Sequence, residues 1–166
     1  MYPVKLGYEE AERRIKALLK NGHSAEAYVT SVFTAEKTLR RTLRQLVVSA
    51  GFISKYADRI VSNLSGIEAI KKAWELYDPK HERLTSVLDS NDWQIIAESA
   101  KERNELVHGV RVYSLDHCAA RTKAVLKALG NIRKCMKARY GYDGWRRGTV
   151  RKVSMLHKDP RVNTVP

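Results

Sequence analysis

From Ser24 to Ala50 the apolar residues Tyr28, Val32, Ala35, Leu39, Leu43, Leu46 and Ala50 recur in steps of three and four. That rhythm puts them on one face of an α-helix and does not fit the two-residue alternation of a half-buried strand. Such a helix is roughly 40 Å long at about 1.5 Å per residue, and its stripe must be covered by other helices. A second stripe, Leu115, Ala119, Thr122, Val125, Leu129, Ile132 and Met136, predicts a partner helix from about Ser114 to Tyr140. Shorter amphipathic stretches fall at 9–20, 54–64 and 67–77, and a third long element runs from near Ser90 to about His108. Asn21-Gly22, Gly51, Asp78-Pro79, Gly109 and Gly141 supply the stops, and Ser24 is read as an N-cap.

Composition supports an all-α bundle. Hydrophobic residues make up 43% of the 166, enough for one core. Gly at 9 and Pro at 4 are too few for a turn-rich β fold or a disordered chain. No window approaches the roughly 18 apolar residues of a membrane span, and the opening residues lack the apolar run of a secretory signal, so no membrane partner is expected. Cys118 and Cys135 fall on one predicted helix, roughly 25 Å apart, and cannot pair. Two unpaired thiols fit a reducing cytoplasm.

Lys and Arg outnumber Asp and Glu by 31 to 18, a formal charge of +13. Such an excess points to a polyanionic partner, since cations that neutralise phosphates release counterions. The charge is concentrated: residues 133–166 carry ten Lys/Arg against Asp143 and Asp159. After Gly141 the helical pattern dissolves, so the chain is divided into a bundle over 1–141 and a basic extension over 142–166. The extension is expected to bind the polyanion more than it supports the fold. Trp145, beside Arg146 and Arg147, fits a base-stacking role as well as it fits pinning the extension to the bundle. Arg40, Arg41 and Arg44 read as a solvated outer face.

The scattered histidines (23, 81, 108, 117, 157) lack metal-ligand spacing, so no metal or cofactor is expected. No phosphate-binding Gly-rich loop or nucleophile elbow is present. What stands out is Arg103-Asn104-Glu105-Leu106-Val107-His108-Gly109, at the end of the third long helix. Arg111…His117 and Arg151…His157 meet a looser spacing, but only Arg103 is followed directly by Asn, Asp or His. At about 100° per residue, Trp93, Ala97, Ala100, Asn104, Val107 and His108 share a face, with Arg103 at its edge.

This segment resembles the R-[polar]-x3-H signature of HEPN domains (higher eukaryotes and prokaryotes nucleotide-binding). The likeness extends more loosely over about residues 25–140. It implies a small helical bundle, often dimeric, whose active members are metal-independent endoribonucleases serving as toxins or antiviral effectors. Carried over, Arg103, Asn104 and His108 become the catalytic set. A histidine can take or give a proton near neutral pH, an arginine can hold two phosphate oxygens, and an asparagine can orient the imidazole. One such histidine per chain suggests a homodimer that juxtaposes two motifs. Arg111 and Tyr113 are placed in the same cleft. Val110 stands where relatives paired with a nucleotidyltransferase antitoxin often carry Tyr, which puts that kind of regulator in doubt. The competing expectation is a non-catalytic nucleic-acid-binding or dimerisation module.

Overall fold

The central element is the long helix that begins at Ser24, and the others are laid around it. A computed structural model describes residues 7–157. In chain order the helices are α1 (Tyr8–Lys20), α2 (Ser24–Ser49), α3 (Ser54–Ser62), α4 (Gly66–Tyr77), α5 (Leu84–Val87), α6 (Ser90–Val107) and α7 (Leu115–Tyr140). Among the described residues there is no strand, and the protein is an all-α bundle. Helix α2 packs against α1, α3, α4, α6 and α7, with α7 as its main partner.

The two stripes meet as expected. Tyr28, Val32, Ala35, Leu39, Leu43 and Leu46 of α2 are buried with Val125, Leu129, Ile132 and Met136 of α7. Ile96 and Ala100 of α6 and Ile70 and Trp74 of α4 complete that core. The ends of the stripes depart from the expectation, since Ala50 and Leu115 are exposed. The hydrogen-bonded pairs Asp92–Asn131, Ser99–Arg121 and Glu102–His117 climb α6 while descending α7, so these two helices form an antiparallel hairpin.

Local chemistry sets the ends of α6 and α7. The Asp89 carboxylate accepts from the Asn91 and Asp92 amides, and the Ser114 hydroxyl accepts from the His117 amide. Ser24 is the first helical residue rather than the N-cap, a position His23 fills without a side-chain bond. Helix α6 closes in a Schellman turn: Val110 N–H donates to Glu105 C=O at 2.8 Å and Gly109 N–H to Leu106 C=O at 3.2 Å. Gly109, at φ +67°, takes the left-handed conformation this turn requires.

The segment after α7 is stitched along α2. Asp143 accepts from Arg133 Nη2 at 2.7 Å, and Trp145 Nε1 donates to Thr38 Oγ1 at 2.8 Å. Thr149 N–H donates to Gln45, Arg151 Nε to the Val48 carbonyl, and Met155 N–H to the Gly51 carbonyl. A Cβ at Gly144 would stand 2.7 Å from the Thr38 carbonyl, so only glycine admits this approach. The attachment relies on hydrogen bonds more than apolar burial, since Val150 and Val153 stay exposed. Residues 142–157 therefore support the fold more than the sequence suggested, while Lys158 and Arg161 lie outside the described residues. No helix among the described residues is long and apolar enough to cross a membrane.

Candidate functional site

The Schellman turn delivers the end of the motif to the surface. His108 is the C-cap of α6, its amide bonded to the Asn104 carbonyl at 3.0 Å. Asn104 and His108, one turn apart, are both exposed, and neither side chain has a hydrogen-bond partner among the described residues. Val107 and Val110 flank His108 in the chain, with Val112 and Leu115 a few residues on, and they are 56%, 76%, 87% and 61% exposed. Exposed apolar side chains gathered this closely in the chain are more than the isolated ones common on a solvated surface.

Arg103 goes the other way. The buried face of α6 is centred on Ile96, Ser99, Ala100 and Arg103, not on the face that holds Asn104 and His108. Its side chain is only 8% exposed and pairs with Glu36 of α2, Nη2 to Oε2 at 3.3 Å. The guanidinium lies 4.5 Å from the Phe33 ring centroid, and its Nε is buried without a partner. Glu36 also receives Arg40 at 2.9 Å. Positions 103 and 108 differ by about 140° around an ideal helix, so the two side chains leave α6 in different directions. The expected catalytic trio is thus divided: Asn104 and His108 are together outside, and Arg103 clamps α6 to α2.

Arg111 and Tyr113 belong to a third arrangement, built on Glu105 and Glu102 of α6 and His117 of α7. The Arg111 guanidinium sits 5.1 Å from the Tyr113 ring, which stacks on His117 at 4.9 Å and 15°. Tyr113 Oη donates to Glu105 Oε2 at 2.6 Å. His117 Nε2 lies 2.9 Å from Glu102 Oε2. A carboxylate only accepts, so this contact places the ring proton on Nε2. Tyr28 Oη donates to the same oxygen at 2.7 Å, and Arg121 Nε lies 3.4 Å from it. Burial pushes the Glu102 carboxyl up, but hydrogen bonds from His117 and Tyr28 and the charge of Arg121 outweigh it and leave it below the usual value. Tyr28, mainly through burial, is pushed up to about 12.

Trp145 is already engaged. Tyr8 meets its ring edge-on at 5.6 Å, and Lys37 and Arg41 lie 5.4 and 5.6 Å from its centroid. Of the two roles open to it in the sequence, the pinning one is realised. Arg146 and Arg147 are exposed.

Sequence reasoning missed Glu36, Glu102 and His117. Glu102 adjoins the motif and His117 opens α7, but their partners come from other helices, so no local spacing reveals them. Among the described residues no group of three His, Cys, Asp or Glu side chains is placed to hold a metal ion. Comparison with family models, with curated proteins and with solved structures finds no match for this chain.

Proposed function

We propose that this chain is an endoribonuclease of HEPN type that works as a homodimer, a toxin or antiviral effector in its biological setting. The observation that carries this reading is the unpartnered pair Asn104 and His108, exposed at the end of α6 beside the exposed Val107 and Val110. A second copy seated on the patch would cover it and bring two imidazoles to one axis. One His108 would take the proton from the ribose 2′-OH as that oxygen attacks phosphorus. The other would give a proton to the departing 5′-oxygen. The products are a 2′,3′-cyclic phosphate and a 5′-OH, with no metal required. Asn104 would hold a non-bridging oxygen or orient the ring. Arg103 acts in this scheme as a positioning residue, fixing the last turns of α6 against α2 through Glu36.

A second reading, a nucleic-acid-binding module without catalysis, is favoured by one observation: Arg103 is neutralised by Glu36 rather than free for phosphate. Incubation of purified protein with total RNA in EDTA, followed by mapping of cleavage ends, separates the two. Cyclic-phosphate ends that vanish with His108→Ala support the nuclease, and intact RNA with retained binding supports the module. Light scattering tests the dimer, and Val110→Asp should shift a dimer to monomer.

A further inference from the structure

We propose that the exposed strip of α2 is the path of the RNA backbone, linking the end of α6 to the segment after α7. The inference rests on the RNA reading above and adds residues that the motif does not supply. Phe33, Lys37 and the half-buried Arg41 follow one another at i, i+4 along this strip, and Arg41 reaches the backbone of Arg146, which with Arg147 is exposed. The neighbouring cations are matched within the protein. Arg40 pairs with Glu36 and donates to the Val61 and Leu64 carbonyls, and Arg44 pairs with Asp58. Lys37 and Arg41 are left: among the described residues neither has a carboxylate within 4.0 Å. Two like charges one turn apart destabilise a helix, and no carboxylate among the described residues neutralises them.

Their arrangement is built rather than loose. Both cations lie over the one indole of Trp145, whose Nε1 is anchored on the buried Thr38. Arg41 is further tethered to the Arg146 carbonyl at 3.5 Å. Trp145 therefore serves as the platform that presents cations, rather than as the surface on which a base stacks. Partial burial, and then the charge of Arg41, lower the Lys37 pKa, the direction expected where a second cation crowds an ammonium that lacks its counter-ion. The two positions are separated by about 6 Å along the helix axis, a step matched to successive phosphates of an extended strand. At the motif end, Phe33 remains 53% exposed with Arg103 against one side of its ring, leaving an aromatic surface for a base.

The test uses the full chain carrying His108→Ala, so that RNA is not cut, and a fluorescent single-stranded RNA read by anisotropy across a salt series. Adding Lys37→Gln and Arg41→Gln should weaken binding at least about tenfold at low salt and reduce the salt slope by about 1.4, at about 0.7 per phosphate contact. The control is Lys72→Gln with Lys80→Gln, which removes equal charge from α4 and the loop after it. Lys37→Arg with Arg41→Lys should restore the slope, and unchanged melting of each variant shows that the fold is kept. Equal losses in the control, no RNA binding by the parent, or tighter binding of duplex DNA with the same slope would each overturn the path. The nuclease reading fails separately. Slope loss without cleavage by wild type keeps the path and removes the enzyme, whereas cleavage indifferent to Lys37 and Arg41 does the reverse.

Discussion

Glu102 receives a phenol, an imidazole and a guanidinium from two other helices, and so reports the state of the bundle. Its folded pKa is depressed, so its contribution to stability is complete above the ordinary carboxylate value of about 4.3 and is lost as pH falls below it. Melting temperature followed from pH 6 to pH 3 should fall, and Glu102→Gln should flatten that dependence. A wild-type acid limb in the variant would show that Glu102 is not the group responsible. Arg103 and His108 allow a sharper contrast at the same scale. Arg103→Ala removes a buried partner from Glu36, which keeps Arg40, so a loss of about 2 kcal/mol is expected. His108→Ala removes an exposed ring with no hydrogen bond and should change stability by less than about 0.5 kcal/mol. Chemical denaturation measures both, and equal losses would contradict the division of the motif into an inner and an outer half.

At the scale of elements, the long helices were legible because their stripes are long. Predicted bounds of 24–50 and 114–140 for α2 and α7 lie within a residue of those observed. The four-residue α5 was not read, since one turn is too short to show a period. The orientation of α6 was misread for a different reason. Spacing places Arg103 about 100° from Asn104, but it does not say which of the two faces inward. Ala97, Ala100 and Val107 suggested one face, and the ion pair with Glu36, 67 residues away, selected the other. The stop was legible, because Val-His-Gly supplies a glycine at the one position where the Schellman turn needs positive φ. Gly109→Ala should therefore cost about 1–2 kcal/mol and reduce any RNA cleavage more than Asp89→Ala, which costs about 1 kcal/mol at the opposite end of α6. Paired denaturation and activity assays check this. Equal activity losses would mean that the turn does not position His108.

Across the whole molecule the residues after α7 divide into anchors and exposed cations. Gly144, Trp145 and Arg151 hold the segment on α2, Asp143 on α7 and Met155 on Gly51 just past α2, while Arg146 and Arg147 remain exposed. Most of this could not be read from the sequence, because Trp145 finds Thr38 and Arg151 finds Val48 about a hundred residues away. Truncation after Gly141 removes several such bonds at about 1 kcal/mol each. It also uncovers the edge of Tyr8 and leaves Arg133 without Asp143. A total of about 4 kcal/mol corresponds to a melting temperature lower by roughly 10 °C. The same truncation should take about 1.4 from the salt slope through Arg146 and Arg147 alone. The two effects separate by substitution: Trp145→Ala should lower melting and disturb Lys37 and Arg41, whereas Arg146→Gln with Arg147→Gln should leave melting unchanged and lower only the slope. If the arginine pair leaves RNA binding untouched while Trp145→Ala abolishes it, the segment acts only by presenting the cations of α2, and the RNA path ends at Arg41.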